Sequence, residues 1–150
     1  ARIPVGAAPV QVGFTPSGDQ VYVSLRDENR MAVIDTASRE VMNRIDVGPN
    51  PIQMVATPDG AYVYVANQGT DAEPNNTVSV IDTATGQVVK TLATGGGAHG
   101  VSVSTDGAFV FVTNIADDTV SIIEVGSQHV VKTLPVGDRP NGIVYGGSSR

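Results

Sequence analysis

Thr57-Pro58-Asp59-Gly60, Val63-Tyr64-Val65-Ala66-Asn67 and Asn76-Thr77-Val78-Ser79-Val80-Ile81-Asp82 decide the fold, because the chain writes this series three times. Thr15-Pro16-Ser17-Gly18 and Ser104-Thr105-Asp106-Gly107 are counterparts of the first motif. Val21-Tyr22-Val23 and Val110-Phe111-Val112 match the second, and Val33-Ile34-Asp35 and Ile122-Ile123-Glu124 match the end of the third. The linking glycines Gly6, Gly48, Gly95 and Gly137 stand 42, 47 and 42 residues apart. The longer step contains one insertion, Asp71-Ala72-Glu73-Pro74-Asn75, and without it the period is constant. Self-similarity at this spacing identifies a repeat architecture.

Each period holds four short β-type runs. In the first repeat they cover residues 10–14, 20–24, 31–35 and 40–47. Pro presets φ and Gly accepts positive φ in the turn after the first run. Four hairpin-linked strands in about 42 residues are the arithmetic of a β-propeller blade. The expected fold is all-β, a β-propeller of four-stranded antiparallel blades. Repeats fall at 6–47, 48–94 and 95–136, with a part-repeat at 137–150, in one partial propeller over residues 1–150. Residues 1–5 read as a fourth-strand remnant and residues 141–145 as a further first strand, which gives about three and a half blades. Two bare end faces would be apolar, so the expectation is a piece of a longer propeller or a chain that associates with itself.

Composition agrees. Val and Ile total 34 against three Leu, and β-branched side chains favour pleated sheets over helices. Nine basic residues against fifteen acidic ones leave a net charge of −6, with no basic stripe for nucleic acid. The absence of Cys rules out disulfides, thiolate metal sites and covalent C-x-x-C-H haem attachment. No apolar run is long enough to span a bilayer. No signal peptide opens the chain, and the expectation is a mature chain or fragment.

Val63-Tyr64-Val65-Ala66-Asn67 and Phe111-Val112-Thr113-Asn114 resemble the motif of the YVTN family of β-propeller repeats. The first repeat departs from it, with Leu25 where the others have Asn67 and Asn114. The resemblance implies a cell-envelope, periplasmic or extracellular surface-layer protein, in which seven blades are usual.

Among residues that could carry chemistry, His99 stands out. In register it takes the slot of Val10, Ile52 and Asn141 at the start of an innermost strand, beside the central channel. A neutral imidazole there suits copper or haem-type iron. The competing reading is structural, an imidazole filling a gap between blades, since one His alone makes no metal site. His129 falls on the opposite rim and reads as solvated surface.

The loops between second and third strands share a rim with the inter-blade links and bring Asp27, Glu28, Asp71, Glu73, Asp117 and Asp118 to it. Asp71, Glu73, Asn75, Asp117, Asp118 and Arg139 are the expected ligand-binding residues, with the insertion at 71–75 setting specificity. Ordinary solvated turns are the alternative. Asp35 and Asp82, with Glu124 in the third repeat, read as acceptors of backbone N–H bonds in the turn after the third strand, and Asn67 and Asn114 as such acceptors after the second. No hydrolase, zincin, phosphate-loop or dinucleotide motif is present.

The expected function is therefore a non-enzymatic, cofactor-free scaffold of the cell envelope that binds a protein or small molecule at the link rim. The alternative is a part of a periplasmic redox metalloenzyme whose copper or haem-type centre takes His99 as one ligand.

Overall fold

A computed structural model describes residues 1–146. Its strands run β1 (Pro9–Phe14), β2 (Gln20–Leu25), β3 (Arg30–Asp35), β4 (Glu40–Asp46), β5 (Pro51–Ala56), β6 (Tyr62–Gly69), β7 (Pro74–Asp82), β8 (Gln87–Ala93), β9 (Ala98–Val103), β10 (Phe109–Asn114), β11 (Thr119–Glu124) and β12 (His129–Pro135). They form three antiparallel meanders, β1–β4, β5–β8 and β9–β12. The architecture is all-β, a partial propeller of three four-stranded blades. The first strands adjoin one another, β1 beside β5 and β5 beside β9, and so line the inner side.

Burial follows from this stacking. The middle strands are covered on both faces, so β2 and β3 bury nearly every residue instead of alternating. Tyr22, Met31 and Val33 of the first blade meet Met54, Val63 and Ile81 of the second. Tyr64, Val78 and Val80 of the second meet Val101, Val110 and Ile123 of the third. Equivalent residues thus do equivalent work at both seams, as the repeat requires.

Two irregularities also repeat. Each first strand bulges at the same place, at residues 10–11, 52–53 and 99–100, between register pairs such as Ala98↔Asn114 and Val101↔Val112. Each outer strand carries one extra residue, Met42, Val89 or Val131, opposite an uninterrupted neighbour, and all three are exposed. Bulges bend and twist a strand locally.

The blade-to-blade link depends on close backbone approach. A Cβ on Gly48 would lie 2.5 Å from the Asn67 amide, and one on Gly95 would lie 2.7 Å from that of Asn114. Both Asn side chains are fully buried. They donate from Nδ2 to hydroxyls across the ladder, Asn67 to Thr77 and Ser79, Asn114 to Thr119 and Ser121. This corrects the expectation that they accept backbone bonds in a turn. Asp35 and Asp82 do accept such bonds, from the N–H groups of Ser38 (2.6 Å) and Thr85 (2.8 Å).

The ends differ from the sequence reading. Residues 1–5 form no strand, because no third strand lies beside them; yet Ile3 and Val5 pack on the first blade's outer face, as Ile45 and Val47 pack on the second. Residues 141–146 also form no strand, having no ladder partner of their own. Among the described residues there are three four-stranded sheets flanked by these two strandless ends, and the end of the expected part-repeat, residues 147–150, lies outside the described residues. The insertion is not wholly irregular either: it lengthens the β6–β7 hairpin, with Gly69 opposite Pro74.

Tyr22 and Tyr64 occupy one repeat position, but Tyr22 donates to Gln20 at 3.2 Å while the Tyr64 hydroxyl is buried without a partner. Tyr62 fills the Gln20 slot in the second blade, and Phe111 shows that the position accepts a plain ring. Burial also pushes the Tyr64 hydroxyl up to about 12. Tyr64→Phe is therefore expected to stabilise the protein by about 1–2 kcal/mol, read as a higher urea midpoint at unchanged slope. A lower midpoint would show that the hydroxyl has a partner.

Candidate functional site

The site grows from the bulge on the inner strands. In the first two blades the bulge reads Val10-Gln11 and Ile52-Gln53. Each Gln reaches the next blade: Gln11 Oε1 accepts the Met54 N–H at 2.5 Å, and Gln53 Oε1 accepts that of Val101 at 3.4 Å. The third blade breaks the pattern with His99-Gly100. Where the repeat demands an aliphatic side chain and an amide clasp, it has an imidazole and no side chain at all.

His99 is half-buried, and its Nδ1 is enclosed with no hydrogen-bond partner. Burial lowers its pKa below the ordinary 6.5, and a hydrogen bond to the Asn141 backbone partly offsets this. The ring is thus held neutral at pH 7, the form that donates a lone pair to a metal. Gly100 donates its N–H to Thr113 Oγ1 at 2.7 Å. His129 lies at the far end of the third blade, its Nδ1 2.7 Å from the Ser127 carbonyl oxygen.

On the link rim, one residue per link adopts a left-handed backbone: Ala8 (φ 46°), Asn50 (φ 50°), Gly97 (φ 69°) and Arg139 (φ 47°). Loop side chains fasten these links. Glu28 accepts the Ala7 N–H, and Asp117, its repeat equivalent, accepts that of Gly96 at 2.7 Å. Asn29 accepts the Asn50 N–H at 2.9 Å, and Asp118, its equivalent, accepts that of Arg139 at 2.7 Å. Asp27 pairs with Arg26 at 2.8 Å.

The expected ligand-binding residues do share this rim. The Arg139 guanidinium stands 3.7 Å from Asp71 across an exposed cleft that Thr70 and Ile115 also line. Asn75 accepts the Thr77 N–H at 3.0 Å, and the Glu73 N–H donates to Thr70 Oγ1. Among the described residues, no three His, Cys, Asp or Glu side chains come together as a metal-binding group. His99 therefore enters as a single donor. What sequence reading missed is Asn141, its neighbour from the next link, and the Glu28, Asn29, Asp117 and Asp118 clasps; the visible signal for the first was the loss of Gln at position 100.

A three-blade propeller sector with one neutral histidine at the mouth of its inner side is the class that these features define. Residues 25–142 match the family model described as the cytochrome D1 heme domain, and the chain belongs to that family. No curated protein matches the chain. Among solved structures it is similar to Kuenenia stuttgartiensis hydrazine synthase, at 23% identity and a TM-score of 0.82, covering 95% of this chain and 39% of that one. It is also similar to a functionally unknown protein from Desulfotomaculum acetoxidans DSM 771, at 21% identity and a TM-score of 0.73, covering 93% and 46%. These two likenesses show the fold. The chain spans less than half the length of either.

The family match overturns several expectations. The chain is not a YVTN surface-layer repeat; the motif behind that resemblance is what blade packing demands, a buried ring and a buried Asn under a Gly link. The non-enzymatic, cofactor-free scaffold fails with it, because the family is a haem domain, and the metalloenzyme alternative fits better. A periplasmic or extracellular location remains consistent with the findings. No helix among the described residues is long and apolar enough to cross a membrane.

Two outcomes follow from the geometry. Because His99 titrates below its ordinary 6.5 when folded, the unfolded chain takes up that proton first as the pH falls. The stability owed to the neutral ring is whole above about pH 7 and is lost as the pH drops through 6.5 toward the folded value. Between about pH 7.5 and 5.5 the urea midpoint of the wild type should fall further than that of His99→Asn, and equal falls would refute the burial argument. At the rim, Asp118→Asn copies Asn29 and should change stability by less than about 0.5 kcal/mol, whereas Asp118→Ala should cost about 1–2 kcal/mol in guanidinium unfolding.

Proposed function

We propose that this chain is part of the haem-binding propeller of a periplasmic redox enzyme and that His99 would be the side chain of this sector that holds the iron. The observation that carries this reading is the break in repeat symmetry. In a family of haem domains, the third blade alone replaces the Val-Gln or Ile-Gln bulge with His-Gly. Repeat positions that keep the fold stay alike, and a departure at the inner mouth marks a place with another task.

The residues fit such a group in two respects. The imidazole is neutral near pH 7, and its Nδ1 makes no hydrogen bond within the protein. When bound, haem iron would supply one-electron chemistry. The chain's own part is to hold the ring through the packing of β9 and to limit water around it.

The three blades are read as a sector of a closed ring, seven being the number expected from the sequence. On the link rim Asp71, Glu73, Asn75, Asp117, Asp118 and Arg139 are proposed to meet a protein subunit or small ligand. The likeness to hydrazine synthase supports membership of an enzyme assembly.

The test is a titration of the protein with ferric haem, followed by the Soret band. Saturable one-to-one binding with a nitrogen-ligated spectrum is expected, weakened tenfold or more, or about 1.4 kcal/mol, by His99→Ala. Haem binding with the same affinity and spectrum in that variant would end the assignment.

A further inference from the structure

We propose that Asn141-Gly142 is a self-modifying site, where the chain expels the Asn141 amide as ammonia, becomes isoaspartate, and so unseats residues 141–146 from blade three. Water is the one co-reactant. The Gly142 nitrogen gives its proton to solvent base and bonds to the Asn141 Cγ while the Cγ–Nδ2 bond breaks. Water then cleaves the resulting succinimide ring at either of its carbonyls. Cleavage at Cγ restores the ordinary backbone as aspartate. Cleavage at the main-chain carbonyl leaves the backbone running through Cγ, as isoaspartate. Both products gain a negative charge.

The surroundings of each asparagine single this one out. The chain has eight, and only Asn141 precedes a glycine, whose nitrogen has no neighbouring Cβ to hinder attack. Pro51, after Asn50, has no N–H to give up. Asn67 and Asn114 are fully buried. Oδ1 of Asn29 and of Asn75 accepts the N–H of Asn50 and of Thr77, and Asn43 Nδ2 donates to the Gly86 carbonyl at 3.2 Å. Asn76 lies within β7. Asn141, by contrast, is exposed and in no strand, and the Gly142 N–H makes no backbone hydrogen bond among the described residues. A Cβ built on Gly142 would meet nothing within 4 Å, so the main chain has room to turn.

Asp59-Gly60 and Asp106-Gly107 could close the same ring, and their turns prevent it. The Gly60 and Gly107 N–H groups are committed to the Thr57 and Ser104 carbonyls at 2.8 and 2.9 Å. The Thr57 and Ser104 hydroxyls donate to the two carboxylates at 2.6 and 2.5 Å and hold them below the usual carboxylate range. An ionised carboxylate has no leaving group to offer. The fold thus directs this chemistry to Asn141.

Gly142 is also part of a seat. A Cβ on Gly100 would lie 3.1 Å from the Gly142 Cα, so the two backbones touch. Further along, the Tyr145 N–H donates to Ser102 Oγ at 3.0 Å, and the Tyr145 ring stacks on Phe111 with centroids 5.7 Å apart and planes 19° from parallel. Isoaspartate adds a methylene to the main chain just before Gly142, which puts the Gly-to-Gly approach out of step with the Tyr145 contacts. Release uncovers Phe111 and the apolar cleft that it lines with Phe109, Ile122 and Val131.

The experiment incubates the folded chain in mildly alkaline buffer and maps its tryptic peptides by mass spectrometry, with isoaspartyl methylation as a second readout. Conversion is expected in the peptide that begins at Thr133, several-fold faster than at any other asparagine, with no isoaspartate at Asp59 or Asp106. In guanidinium those two positions should join in. Gly142→Val, which hinders the attacking nitrogen, should slow conversion several-fold. Hydrogen exchange at the Tyr145 amide should be several-fold faster in the isoaspartate form than in the unmodified chain. Asn141→Asp has the charge without the extra methylene and should keep the slow exchange. Another asparagine converting first, isoaspartate at Asp59 in the folded chain, or an unchanged rate in Gly142→Val overturns the site. Equal Tyr145 exchange in both forms overturns the unseating. If Gly142→Val does not fold, the comparison of folded and guanidinium-treated wild type carries the test.

Discussion

Every blade in this protein has two apolar faces and no means of covering either by itself. A four-stranded meander of Val, Ile and Tyr buries its middle strands only when another meander lies on each side. That one constraint explains why the sequence repeats. Tyr22 and Tyr64 must sit at the same height, Val33 and Val80 must back them, and Ile81 and Ile123 must face them from the next blade. It also explains the terminal segments, since Ile3 and Val5 take the outer-strand packing positions without any strand being formed. Packing therefore outranks hydrogen bonding at the ends of the wedge, where no ladder partner exists.

The same constraint separates what is structural from what is chemical. A feature that recurs from blade to blade, such as the Asp turn of the first two or the Asn under a Gly link in the last two, satisfies a demand of blade packing. A feature present once does not. His99-Gly100 is the one place on the inner strands where a clasp made by Gln side chains is given up, and the chain recovers the seam differently, through a Gly-to-Gly approach and an aromatic stack. The imidazole thus sits where the contacts that repeat at the two earlier seams give way to different ones.

Much of the fold was legible in the sequence. The period located each strand to within about a residue, because turn residues with fixed φ requirements punctuate alternating apolar runs. Residues at the ends were misread, since periodicity reports what a segment could pair with and not whether a partner is there. Asn67 was misread for a related reason: a polar residue after an apolar strand suggests a turn, whereas here it is buried across a ladder from Thr77 and Ser79. His99 was visible as an exception to the repeat. Its partner Asn141 was not, because two residues in the same repeat slot are separated in sequence by a full period and meet only through the curvature of the stack. The family was also hidden, because the motif words belong to blade architecture, which unrelated functions share.

The extra residue in each outer strand has a meaning for the life of the molecule in a crowded compartment. β4, β8 and β12 are rows of half-paired backbone, the kind of surface onto which a stray strand from another chain can zip and begin a fibril. Met42, Val89 and Val131 each throw the strand out of register with any straight newcomer. The outer edge is thereby made a poor template, and protection against sheet-to-sheet growth is carried by the same repeat that builds the blades.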